Sequence, residues 1–165
     1  MNENDLAFMK EALKEAETAS ALGEVPVGAV LVKDGKILSR RHNLRETGKR
    51  AIAHAEILCI EDGCAAFGGW RLTGCTLYVT LEPCPMCAGA IINARVSRVV
   101  YGAKDFRAGA FGSLLDLSAV PLGFRPEIVG DVLRDESLAL LRTFFEKKRQ
   151  RETLQEKQKT DVKKS

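Results

Sequence analysis

A histidine, a glutamate and two cysteines are the residues of this chain whose types and spacing could do chemistry. His54 and Glu56 are two positions apart in His54-Ala55-Glu56, and the cysteines bracket two residues in Pro83-Cys84-Pro85-Met86-Cys87. Imidazole nitrogen and thiolate sulfur are zinc ligands, so His54, Cys84 and Cys87 offer three of the four that a tetrahedral ion takes. An open fourth position is what catalytic zinc requires, whereas a structural site is closed by protein. No second cysteine pair is available to close it, and the only other histidine, His42, lies in a loop beside Asn43. Glu56 is then the acid–base group, taking a proton from a zinc-activated water and handing it to a leaving group. Cys-x-x-Cys alone is weak evidence, and His-x-Glu alone usually marks a solvated helix face. Their combination at two helix starts is far more specific.

The elements must bring these groups together. With Cys84 as N-cap and Cys87 one turn on, both sulfurs face one helix end, where free N–H groups and the dipole favour thiolate. Two residues within a helix turn ~200°, so His54 and Glu56 converge only if a helix begins at that point. The hydrophobic pattern predicts a first helix capped by Asn4, with Leu6, Met9, Leu13 and Ala16 on one face. Strands at 27–32 and 36–41 flank Asp34-Gly35, a two-residue hairpin turn. A helix over 54–66, a strand at 75–80, a helix over 85–93 with proline in its first turn and a strand at 96–101 follow. Residues 102–112 form a surface loop, and 133–150 an amphipathic closing helix. Strands alternating with helices imply a single α/β domain in three α/β/α layers.

Composition sets the frame. The chain has 165 residues, 45% apolar and 28% charged, enough for one domain with a sizeable core. No apolar run approaches the ~20 residues of a membrane helix, and the polar, acidic start shows no secretory signal. A cytoplasmic, reducing setting follows as the expectation. The five cysteines are an odd number there, with Cys59, Cys64 and Cys75 read as core packing. The net charge is +3, but the last 25 residues carry nine Lys or Arg against four Asp or Glu. That basic end can attract phosphates. Residues 1–151 are expected to be the folded domain and 152–165 a charged, disordered tail.

His-x-Glu followed by Pro-Cys-x-x-Cys is the signature of the zinc nucleobase deaminases. The chain resembles one family of that superfamily, the bacterial tRNA-specific adenosine deaminases, over roughly residues 5–150. The resemblance is carried by Glu24-Val25-Pro26-Val27-Gly28-Ala29-Val30, Thr76-Leu77-Tyr78-Val79-Thr80-Leu81-Glu82-Pro83-Cys84, Met86-Cys87-Ala88-Gly89-Ala90, and Gly109-Ala110 with Gly112-Ser113-Leu114. It implies a cytidine deaminase-like fold with a central mixed sheet of about five strands, one Zn2+ per subunit and a homodimer. The substrate it implies is the tRNA anticodon stem-loop, with adenosine converted to inosine at the wobble position. It also implies substrate roles. Asn43 contacts the flipped nucleotide, Glu24, Val25 and Ala55 belong to the base pocket, Asp105 faces the ribose side, and Phe144 and Phe145 approach the anticodon loop. Read without the resemblance, Asn43 ends a strand, Asp105 caps a loop and adjacent phenylalanines are ordinarily core. Phe106 and Arg107 stand where members of the family vary.

Two rival readings share these residues. A deaminase of free guanine, cytosine or a nucleoside uses the same zinc motif. A structural-zinc RNA-binding module uses none of the chemistry, and Glu56 with an open ligand position argues against it.

Overall fold

The structure, a computed structural model, describes residues 1–164. It contains α1 (Glu3–Ala21), β1 (Gly28–Lys33), β2 (Lys36–His42), α2 (Ala55–Phe67), β3 (Cys75–Leu81), α3 (Pro85–Asn93), β4 (Arg98–Ala103), a 3-10 turn (Leu117–Ala119), β5 (Glu127–Val129) and α4 (Arg134–Lys164). The sheet order is β2-β1-β3-β4-β5. β1 is antiparallel to both neighbours, while β3, β4 and β5 run parallel, so the sheet is mixed and five-stranded as expected.

Alternation along the strands builds the three layers. Ala29 and Leu31 of β1, Leu77 and Val79 of β3, and Val99 and Tyr101 of β4 pack with α2 and α3. Their neighbours Val30, Val32, Tyr78 and Val100 pack on the other side, against Met9 and Ala12 of α1. α4 lies on the α1 side, and Ser137 in its second turn is buried against β4. Gly28 lets α1 lie directly on β1, because a Cβ there would stand 2.1 Å from the Ala12 carbonyl oxygen.

Local chemistry explains the element ends. α1 is capped by Asn2 rather than by Asn4. Asn2 Oδ1 accepts from the Asp5 N–H, and Asp5 Oδ2 accepts from the Asn2 N–H, a capping box that Asn4 has no residue to complete. The Asp34-Gly35 turn has positive φ at both residues, 49° and 73°, the primed geometry that two-residue hairpins favour. Gly68, with φ 81°, ends α2 in the left-handed conformation.

Asp5 is also the centre of a buried ion pair. Arg98 donates to both of its oxygens, at 2.6 and 3.0 Å, and the Tyr78 hydroxyl donates at 3.0 Å. The Arg98 guanidinium holds the Asp5 carboxyl below the usual carboxylate range, and the hydrogen bonds from Asn2 and Tyr78 add to this.

Edge strand β2 is tied to helices on both sides. Arg40 pairs with Glu11 and His42 with Glu15, both on α1, while Arg41 pairs with Asp62 on α2. At the other end of the chain, α4 continues as helix through Lys164, where residues 152–165 were expected to be disordered. Glu, Leu, Gln and Lys make up most of this stretch and are good helix formers. Residues 145–164 are all exposed.

Candidate metal centre and substrate pocket

Strand directions explain why residues distant in sequence meet. β2, β3 and β4 all run the same way, and β1 runs against them. The C-terminal ends of β2, β3 and β4 and the start of β1 therefore share one edge of the sheet, where ligands bind in open α/β folds. α2 follows β2, α3 follows β3, and both helices begin at that edge.

His54 is the N-cap of α2, with extended backbone at φ −74° and ψ 151°. It is therefore outside the helical spiral, and its ring and the Glu56 side chain are freed from the ~200° separation they would have within a helix. Cys84 is the N-cap of α3 and Cys87 lies three residues on, with Pro85 at the first helical position. The ligand atoms of His54, Cys84 and Cys87 all lie within 4.8 Å of one another. His54 Nδ1 is 3.6 Å from both sulfurs. Zinc bonds of ~2.0 Å to nitrogen and ~2.3 Å to sulfur, opened to a tetrahedral angle, place the two donors ~3.6 Å apart. The donor set and its spacing thus fit a zinc ion, and no other such set occurs among the described residues.

The electrostatics follow from the same proximity. A hydrogen bond from the Cys87 thiol, aided by His54, brings Cys84 down to about 4 against the effect of burial. Cys87 is pushed up by its bond to Cys84 and by burial, and His54 is raised chiefly by its bond to Cys84. A thiolate is already favoured at one ligand, and a cation would displace the proton held at the other. Glu56 is 4% exposed, and burial pushes its carboxyl up to about 7. Cys59, pushed up to about 12 by burial, has no comparable reactivity, and Cys59 and Cys75 are buried as core residues. Cys64, half-buried, packs against the same core.

A pocket of about 200 Å³ opens onto this cluster. Val25, Asn43, His54, Ala55, Glu56, Cys84 and Asp105 line it, as the sequence suggested. Asn43 also accepts from the Arg45 N–H through Oδ1, and Asp105 Oδ1 accepts from the N–H groups of Arg107 and Ala108. Asp105 therefore caps its own loop while facing the cavity.

One residue expected in the base pocket is not at its wall. Glu24 is completely buried, and its carboxylate accepts from the Glu46 and Thr47 N–H groups at 3.2 and 2.5 Å. It holds the 44–50 loop through the backbone at 46 and 47. Phe144 and Phe145 stack edge to face, with ring centroids 5.3 Å apart. Phe145 lines a separate shallow groove with Arg107, Arg142 and Arg149.

Val27, Arg45, Glu46, Leu81, Glu82 and Ala108 complete the pocket lining and were not singled out from the sequence. Arg45 and Glu46 follow Asn43 directly, which was the available signal. For Glu82 the signal was a charged residue between an apolar strand and Pro83-Cys84.

A metal-donor trio at the carboxyl edge of a mixed sheet, with a buried carboxyl beside it and helices on both faces, defines the deaminase class. The sequence profile of the cytidine and deoxycytidylate deaminase zinc-binding region matches residues 2–103. Within that class the chain belongs to the tRNA-specific adenosine deaminase family. It is 52% identical over 148 residues to the tRNA-specific adenosine deaminase of Bacillus subtilis, covering 89% of this chain and 92% of that one. A solved structure from work on A-to-I editing by tRNA:A34 deaminases at the wobble position matches with TM-score 0.78 and 43% identity. It covers 82% of this chain and 99% of that chain. The guanine deaminase of Bacillus subtilis is more distant in fold, at TM-score 0.59 and 41% identity over 63% of this chain and 66% of its own.

Proposed function

We propose that this chain is a hydrolytic, zinc-dependent deaminase that converts adenosine to inosine at the wobble position of a tRNA anticodon. The observation that carries it is the placement of His54, Cys84 and Cys87 with Glu56 at one pocket, in a chain 52% identical to a tRNA-specific adenosine deaminase. His54, Cys84 and Cys87 would hold one Zn2+ per subunit. When bound, zinc supplies the Lewis acidity that makes water a hydroxide-like nucleophile near neutral pH.

Glu56 would take a proton from the water whose oxygen adds to C6 of adenine and would deliver it to the amino group. The C6–N bond breaks and ammonia leaves, so adenosine and water give inosine and ammonia. Val25 and Ala55 pack the base, Asn43 binds the flipped nucleotide, and Asp105 faces the ribose side. Base flipping from an anticodon loop costs less than from a duplex because loop bases are already unpaired. Phe145, Arg142 and Arg149, which with Arg107 line a separate groove, would meet RNA flanking the target. The protein acts as a homodimer in the cytoplasm, and no described helix is long and apolar enough to cross a membrane.

The test is to incubate the metal-replete protein with tRNA bearing adenosine at the wobble position and sequence for inosine. Parallel incubations contain free guanine, cytosine and adenosine. Inosine in tRNA, with one zinc per chain by elemental analysis, is the expected result. Faster turnover of a free base than of the tRNA would transfer the protein to the rival reading.

A further inference from the structure

We infer that Glu82 is a positioning residue of this active site, a buried anionic hub that shapes the 105–113 loop against the pocket. The inference rests on the proposed tRNA deamination for its kinetic consequence but not for its structural one. Glu82 follows β3 directly and is 2% exposed. Its Oε2 accepts from the Asp105 N–H at 3.1 Å and from the Ser113 hydroxyl. Its Oε1 accepts from the Phe111 and Ser113 N–H groups, each at 3.1 Å. An ionised carboxylate has about four acceptor sites. Donors from a single loop occupy them all.

The fit excludes close substitutes. Glutamine would replace one oxygen by an amide NH2 that faces N–H or O–H donors, and aspartate falls a methylene short. Gly109 belongs to the same construction. A Cβ there would lie 2.5 Å from the Glu82 carboxyl and 2.4 Å from the Asp105 carbonyl oxygen, so the loop closes on Glu82 more tightly than any side chain permits. The Ala110 N–H adds a bond to the Pro83 carbonyl at 2.9 Å. The loop is thus stitched to the segment Glu82-Pro83-Cys84, which leads into the metal-donor helix. The stitched loop places Asp105 and Ala108 in the pocket wall. Glu82 therefore sets the distance between that wall and the reacting centre.

The opposite wall provides an internal control. Glu24 holds Glu46 and Thr47 in the same manner, with two bonds instead of four. Each carboxylate serves one rim, so removing one should loosen only its own.

The test pairs Glu82→Gln with Glu24→Gln and reads amide hydrogen exchange, zinc content and kinetics on an anticodon stem-loop. In Glu82→Gln, the amides of Asp105, Phe111 and Ser113 should lose protection roughly tenfold or more, as expected when hydrogen bonds to a buried charge are lost. The amides of Glu46 and Thr47 should be unchanged, and Glu24→Gln should give the reverse pattern. Zinc should stay bound. The Michaelis constant for the stem-loop should rise by about tenfold, with the saturating single-turnover rate changing much less. If Glu82→Gln does not fold, Ser113→Ala removes one donor and should partly release the Asp105 and Phe111 amides. Unchanged protection at those amides, or equal loosening of both rims, would overturn the assignment. So would a fall in the single-turnover rate at constant Michaelis constant. Should the wild-type protein fail to edit tRNA while the exchange pattern holds, the substrate reading falls and the hub stands.

Discussion

Asp5 and Glu56 are both carboxyl groups withdrawn from water, one on each side of the sheet, and their surroundings drive them in opposite directions. Asp5 faces Arg98, Tyr78 and the Asn2 N–H, and these hold it ionised. At Glu56 burial outweighs the neighbouring His54 and raises the carboxyl to about 7. The difference shows that depth alone does not decide what a buried acid does. A carboxylate saturated by donors is locked into one protonation state and serves the fold. One short of donors exchanges its proton easily, which is what a general acid–base requires. Glu24 and Glu82 accept from neutral backbone and hydroxyl donors and hold loops rather than helices.

Substitutions at the two poles should separate cleanly. The largest effect is expected for Glu56→Gln, which should keep zinc and thermal stability while lowering turnover by at least ~10²-fold, as for a lost acid–base group. Near-normal turnover on tRNA with full zinc content would erase the distinction. Asp5→Ala should show the opposite profile. It leaves the Tyr78 hydroxyl without its acceptor and Arg98 with only Glu127, at 3.3 Å, and should cost about 3 kcal/mol of stability by the standard of a broken buried ion pair. For a domain of this size that lowers the melting temperature by roughly 6–12 °C. Turnover per folded molecule should be unchanged, and a calorimetric scan beside an activity assay checks both halves.

The pH dependence sharpens the comparison further. The Asp5 carboxyl is lowered on folding. Its contribution is therefore fully present above the unfolded value of about 3.9 and is lost as pH falls through the folded value. Denaturant melts of wild type and Asp5→Ala should stay separated by a constant amount from neutrality to about pH 5. Below about pH 4 the two should converge. A gap that widens with acid would mean the ion pair does not govern this residue. The smallest effect is expected at the exposed residues Lys147, Lys148 and Arg149 of α4. Lys147→Ala/Lys148→Ala/Arg149→Ala should raise the Michaelis constant for tRNA a few-fold and reduce its log–log salt slope by roughly 2. An unchanged slope would make that face a solvated one only.

Much of this was legible in the sequence because it depends on local rules. The bounds of α3 follow from Pro85 and the apolar run behind it, the hairpin from Asp34-Gly35, and the metal trio from ligand chemistry at two helix starts. What escaped depends on distant partners. β5 is three residues long and exists by pairing with β4, so no periodicity could announce it. Glu82 and Glu24 gain meaning only from backbone N–H groups that the folded loops bring to them. The family resemblance grouped Glu24 with the base pocket, but the structure turns its carboxylate toward the 46–47 backbone. In α4, helix propensity carried the chain beyond the point where charge alone suggested disorder.

The charged lacing of β2 has a consequence for how the molecule meets its own kind. An outer strand with free N–H and C=O groups is an invitation to strand addition and fibrillar growth. Here Arg40 and His42 are drawn to α1 and Arg41 to α2, and the β1–β2 register is broken by an irregularity at Leu31/Val32. An incoming strand would meet cations and a kinked ribbon, while β5 at the far end is too short to template one. Both margins of the sheet therefore resist edge-to-edge growth.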